Sequence, residues 1–98
     1  MTVIDEIAAE RRRQIEAEGW TPEHDDQHDE SEMARAAACY ALSAAGFFDA
    51  PRHYWPWGDD WWKPKDDRRD LIRAAALLVA EIERRDRRAA SPTTEVQK

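Results

Sequence analysis

The chain has 98 residues, a net charge of −6 and 37% charged residues. That length accommodates one domain, since domains usually run about 50 to 250 residues, and it excludes multi-domain machinery. The acidic balance disfavours general nucleic-acid binding, because phosphate backbones repel such a surface unless its cations cluster on one face.

Thr2 with Asp5 has the pattern of an N-cap and its acidic partner, and Val3, Ile4, Ile7, Ala8 and Ile15 then recur at near-helical spacing up to Gly19. The pattern predicts a first helix over about 3–18 with its isoleucines inward. Glu10, Arg11, Arg12, Arg13, Glu16 and Glu18 then occupy a solvated face on which acids and bases pair across a turn.

Gly19 to His28 crowds polar, proton-transferring side chains beside Trp20. Thr21 and Pro22 read as the cap and first residue of a short turn. If that turn is helical, His24 and His28 share one face. Three readings stay open there: local capping, a Zn²⁺ or Mn²⁺ site completed by a carboxylate, or a small-ligand contact. In the last of these Asp25 or Asp26 accepts hydrogen bonds from ribose hydroxyls or an exocyclic amine.

Asp29 with Glu32 predicts a second capping box, and Met33, Ala34, Ala37, Ala38, Tyr40, Ala41 and Leu42 carry a small-sided helix to about Ala45, where Gly46 stops it. Cys39 reads as a small core filler. As the single cysteine it has no partner thiol, and with no leader sequence a reducing cytosol is the simplest compartment. From Phe47 to Asp66 the chain reads as a long loop punctuated by Pro51, Pro56, Gly58 and Pro64 and carrying Trp55, Trp57, Trp61 and Trp62. Each indole is either a plug closing a small core or a stacking surface for planar bases.

Asp67 and Asp70 open a third helix over about 67–88, on which Leu71, Ile72, Ala75, Leu78, Val79 and Ile82 form an apolar stripe. The stripe predicts that Leu71, Leu78 and Ile82 bury against Ile7, Ile15 and the alanine face of the second helix, with Leu78 in the core. Arg68, Arg69 and Arg73 stand where the helix dipole disfavours cations, which marks them for ion pairing or for phosphate. The expected architecture is all-α: a three-helix domain over 1–90 with a long Trp/Pro-rich loop between helices two and three, then a frayed tail over 91–98. The longest apolar run, Ala74 to Ala80, falls far short of the roughly 20 residues a membrane span needs. A small domain rich in Trp and Ala has too little interior for its apolar surface, which predicts a homo-oligomer.

The strings Glu10-Arg11-x-Arg13-Gln14, Glu18-Gly19-Trp20-Thr21-Pro22-Glu23-His24-Asp25-Asp26-x-His28, Glu32-Met33-Ala34, Trp55-Pro56-Trp57, Trp61-Trp62-Lys63-Pro64 and Arg68-Arg69-Asp70-Leu71 resemble a group of small proteins encoded by phages and prophages. Ile15 to Asp26, with Asp67-Arg68 leading into the third helix, is also similar to the ryanodine-receptor repeat domain. That second resemblance implies a small helical module that binds a nucleotide-like ligand without turning it over.

Together these features predict a cytosolic nucleotide-ligand binding module, and the resemblance to phage proteins implies a factor that sequesters a host signalling nucleotide. Its expected site is Trp20, His24, Asp25, Asp26, His28, Trp55, Trp57, Trp61, Arg68 and Arg69: indoles for the base, acids for ribose or amine, arginines for phosphate. No catalytic residue and no cofactor is assigned. Two other classes stand beside it. One is a MazG-like, Mg²⁺-dependent pyrophosphohydrolase, for which only Glu30 and Glu32 on one helix and Glu83 to Asp86 on another offer carboxylates. The other is an acidic inhibitor of a protein partner, using the six acids between Glu23 and Glu32. His24-Asp25 and His28-Asp29 spell the doublet of HD phosphohydrolases, but no histidine precedes His24 to complete that set.

Overall fold

Thr2 caps the first helix as its spacing predicts: its hydroxyl accepts from the Asp5 N–H at 3.1 Å while the Asp5 carboxylate accepts from the Thr2 N–H at 3.0 Å. In the computed structural model, which describes residues 1–90, helix α1 runs Val3–Glu18, α2 is the single turn Pro22–Asp25, and α3 runs Glu32–Ala44. Then come the short α4, Ala50–Tyr54, a 3₁₀ turn at Asp59–Trp61, and α5, Asp67–Ala89. The described residues are all-α. The segment 91–98, expected to fray, lies outside them.

Two boundaries differ from expectation for identifiable reasons. The stretch read as one loop contains α4, which Pro51 favours in its first turn, and the 3₁₀ turn after Gly58. The second helix begins at Glu32, after Ser31 in the left-handed region at φ 62°. Asp29 caps nothing there. Glu32 takes the Glu30 N–H instead, at 2.7 Å, and leaves the predicted capping box unmade.

The core lies between α3 and α5, and it is built mostly of small residues. Met33, Ala36, Ala37 and Tyr40 of α3 meet Ala74, Leu77 and Ala80 of α5, with Trp20, Ala41, Trp55, Trp57 and Trp62 packed around them. Alanines on both partners let the backbones approach closely, and the indoles then fill the periphery that short side chains leave open.

This arrangement overturns most of the predicted stripe, of which Ile72 alone is fully buried. Leu71, Leu78 and Ile82 are 52%, 46% and 58% exposed, whereas Leu77 is 1% exposed. The buried face of α5 comprises Asp70, Ile72, Ala74, Ala76, Leu77, Ala80, Glu81 and Arg84. Counting apolar letters selects the wrong side because the true contact face mixes alanine with polar groups that carry their own partners. Asp70 accepts from the Lys65 N–H at 2.8 Å. Glu81 accepts from Arg84 at 3.0 Å and from Arg85 at 2.7 Å.

Helix α1 is inverted in the same way. Its buried residues are Glu10, Arg11 and Gln14, while Val3 and Ile4 face outward. Buried charge is tolerable only when paired, and here each one is. Glu10 takes two bonds from Arg13, at 2.9 and 2.8 Å, and one from Arg69 at 2.7 Å. Glu6 receives both guanidinium nitrogens of Arg68, at 2.9 and 2.6 Å. Burial pushes the Glu10 carboxyl up, but the bonds from Arg13 and the charges of Arg13, Arg69 and Arg73 outweigh it and hold the group below its ordinary value.

Leu77→Ala is expected to cost about 2–5 kcal/mol in urea unfolding. Leu78→Ala is expected to change the stability of the single folded chain by no more than about 0.5 kcal/mol, the range of surface substitutions. Because Glu10 is lowered in the folded state, its contribution is fully present above the unfolded glutamate value of about 4.3 and is lost as pH falls through the lower folded value. Glu10→Gln should therefore flatten the acid limb of the stability profile, followed by helical ellipticity against pH.

Candidate functional site

α1 ends at Gly19, whose φ of 74° lies in the left-handed region that a residue with a β-carbon rarely adopts. The Trp20 N–H closes the reversal on the Gln14 carbonyl at 3.0 Å. Thr21 then caps α2, accepting from the His24 N–H at 3.2 Å, and Pro22 supplies the preset φ of the first turn. One turn is enough to bring His24 and His28 together edge-on: their rings are inclined at 67°, with centroids 4.7 Å apart and Nε2 atoms 3.5 Å apart.

The Trp-rich segment folds back onto this turn. Trp57 meets Trp20 at 5.6 Å and His28 at 5.5 Å between ring centroids, and Trp20 lies parallel to His24 at 6.5 Å. The result is a cleft of about 270 Å³ lined by Trp20, His24, His28, Trp57, Gly58 and Trp61. Its wall is aromatic and its polar edges are imidazole nitrogens.

Five of the ten expected site residues thus meet: Trp20, His24, His28, Trp57 and Trp61. The other five hold the scaffold. Trp55 stands behind the cleft, edge-on to Trp57 at 5.4 Å and to Tyr40 at 5.7 Å, with its indole N–H on the Gly58 carbonyl at 3.1 Å. Asp25 is buried and accepts from Arg11 at 2.9 Å, with His24 Nδ1 at 3.3 Å from its other oxygen. Burial pushes its carboxyl up, against the lowering influence of His24 and Arg11. Asp26 is held by Arg87 at 3.0 and 2.8 Å. Arg68 and Arg69 are the partners of Glu6 and Glu10 on α1, and neither lines the cleft.

Residues outside the expected set complete the site. Arg11 donates to the Trp20 carbonyl at 3.0 Å as well as to Asp25, so it fixes both ends of the turn that carries the cleft. The Glu32 carboxylate lies 3.3 Å from His28 Nδ1. Burial alone would raise Glu32, but the backbone N–H groups of Glu32 and Glu30, and then His28, hold it lowered. Lys63 does not line the cleft but places its ammonium 5.5 Å from the ring of Trp61, which does. Its backbone is tied by the Tyr40 hydroxyl, 3.4 Å from the Lys63 N–H, and by Arg73, which donates to the Lys63 carbonyl. The sequence signal for Lys63 was its place in Trp61-Trp62-Lys63-Pro64. For Arg11 there was no local signal, because its partners lie beyond the end of its own helix.

Among the described residues no group of three or more His, Cys, Asp or Glu side chains gathers in metal-binding geometry. No described helix is long and apolar enough to cross a membrane. Comparison with family models, with curated proteins and with solved structures finds no match to the chain.

Proposed function

We propose that this protein is a binding module for a nucleotide-like ligand, whose base enters the cleft between Trp20, Trp57 and Trp61. The observation that carries this reading is the cleft's lining, three indoles and two imidazoles around about 270 Å³. Every nucleobase offers a π-face, and stacking on an aromatic side chain contributes about 1–3 kcal/mol per base. The histidine edges can give or take hydrogen bonds with base heteroatoms. Lys63 beside Trp61 is the cation best placed for a phosphate, in the role first expected of Arg68 and Arg69. The resemblance to phage-encoded proteins adds the proposal of sequestration: the module holds a host nucleotide in the cytosol. A buried free thiol at Cys39 suits a reducing compartment. Binding is favoured over the pyrophosphohydrolase reading because the cleft wall is aromatic, and because Glu32, one of the acids that reading needs, is tied to His28 and to the Glu30 backbone.

The exposed face of α5 supports a second proposal, self-association. Leu71, Leu78 and Ile82 recur along one side of that helix and stand open to solvent. A second copy of the chain is the occupant we propose for this face. Light scattering should report a dimer for the native chain and a monomer for Leu78→Glu. A native monomer at high concentration overturns it.

Nucleosides and nucleotides titrated into the protein should quench tryptophan fluorescence and raise the melting temperature with concentration. Trp57→Ala should weaken that binding by about 1–3 kcal/mol with helical ellipticity intact. Lys63→Ala should remove the advantage of a nucleotide over its nucleoside. If no base-bearing compound shifts either signal, the nucleotide reading fails.

A further inference from the structure

The two histidines at the cleft present an arrangement that base stacking does not require. His24 Nδ1 lies 3.3 Å from an Asp25 oxygen, and His28 Nδ1 lies 3.3 Å from a Glu32 oxygen. An ionised carboxylate only accepts hydrogen bonds, so in the tautomer in which each Nδ1 donates to its carboxylate, each neutral ring keeps its lone pair on Nε2. Those two Nε2 atoms face one another at 3.5 Å. Two lone pairs at that distance repel unless a positive centre lies between them.

We propose that His24 and His28 form a two-histidine site for a borderline divalent transition metal of the Zn²⁺ class, with Asp25 and Glu32 as its outer-shell carboxylates. Two nitrogens bound to tetrahedral Zn²⁺ at about 2.0–2.1 Å stand about 3.3–3.4 Å apart, and the pair already sits within reach of that edge. Metal-ligating histidines almost always donate their other ring N–H to a carboxylate, carbonyl or water, which fixes the tautomer and raises basicity. Both rings here have that carboxylate. Neither carboxylate is left to swing freely: Arg11 holds Asp25 at 2.9 Å, and the Glu30 N–H holds Glu32 at 2.7 Å. Two imidazoles select Zn²⁺, Ni²⁺, Co²⁺ or Cu²⁺ over Mg²⁺ and Ca²⁺, which prefer oxygen. Because only two protein nitrogens converge, the remaining coordination positions open toward the cleft, where water or an oxygen of the cleft's occupant fills them.

This inference goes beyond the base-binding reading and does not rest on it. Zinc titrated without nucleoside reads the histidine pair, and nucleoside titrated without metal reads the indoles. In calorimetry the native chain should take up one Zn²⁺ and ignore Mg²⁺. Co²⁺ should add visible ligand-field absorption and quench the fluorescence of Trp20 and Trp57, whose rings adjoin the pair. His24→Gln and His28→Gln should each abolish uptake, His53→Gln on α4 should leave it unchanged, and Glu32→Gln should weaken it by about 10–100-fold with both ligands present. The Glu32 variant keeps the test decisive if a histidine variant fails to fold. Uptake that survives in the chain lacking both histidines overturns the proposal, as does a native chain that takes up no metal. In the second case, a hydrogen on Nε2 in ¹⁵N imidazole spectra would identify a shared proton as the positive centre.

Discussion

Three elements of this protein are held in register by one guanidinium. Arg11 leaves the buried face of α1, donates to the Trp20 carbonyl at 3.0 Å and to the Asp25 carboxylate at 2.9 Å, and brings its Nε to 3.5 Å from Glu83 on α5. The first bond fixes Trp20, just past the Gly19 cap of α1, the second fixes the far end of α2, and the ion-pair contact with Glu83 lies toward the long helix without a hydrogen bond. A planar, permanently charged fork can meet two acceptors in different directions, which a lysine ammonium on its flexible stem would do with less geometric definition. Without that clamp the short α2 turn would rest on Arg87 alone for its side-chain ties to α5. The cleft therefore depends on a residue that does not line it.

The fold has two unlike seams. Between α3 and α5 the contact is apolar and close, alanine against alanine, with Met33, Tyr40 and Leu77 as the large side chains. Between α1 and α5 the contact is ionic, with Glu6 on Arg68 and Glu10 on Arg69. Apolar packing tolerates small displacements, whereas hydrogen-bonded ion pairs are directional. The ionic seam consequently fixes the position of α1 relative to α5, and α1 in turn fixes where Trp20 emerges. An aromatic chain joins the two seams: Tyr40 in the core touches Trp55, Trp55 touches Trp57, and Trp57 reaches Trp20 and His28.

The helical character was legible in the sequence because caps and stops are local. Thr2 with Asp5, Gly19, and Thr21 with Pro22 each act within a few residues, and each stands where its spacing places it. The buried faces were not legible. Ile4 and Leu78 look like core by their letters, and Glu10 and Glu81 look like surface, yet burial follows the partners a side chain finds across the fold. Glu10 becomes a core residue through Arg69, 59 positions away. The candidate site divides along the same line. Trp20, His24 and His28 come together through one local turn, so their grouping could be read directly. The roles of Asp25, Asp26, Arg68 and Arg69 could not, because charge at those positions is consumed by partners that only the folded chain supplies.

The placement of α5 at the far end of the described chain carries a kinetic consequence. Helices α1 and α2, with the Asp26 cap, find ion-pair and hydrogen-bond partners 59 to 72 residues later in the sequence, on a helix that leaves the ribosome after them. α3 meets α4 with little chain between them, but its core face also waits for Ala74, Leu77 and Ala80. During synthesis the amino-terminal half therefore emerges with Glu10, Arg11 and Asp25 still hydrated and with Trp20 uncovered. Contacts this distant in sequence carry a loop-closure cost before they return any stabilisation. The geometry of the cleft therefore depends on contacts that only α5, the last described helix, supplies to α1 and to the turn after it.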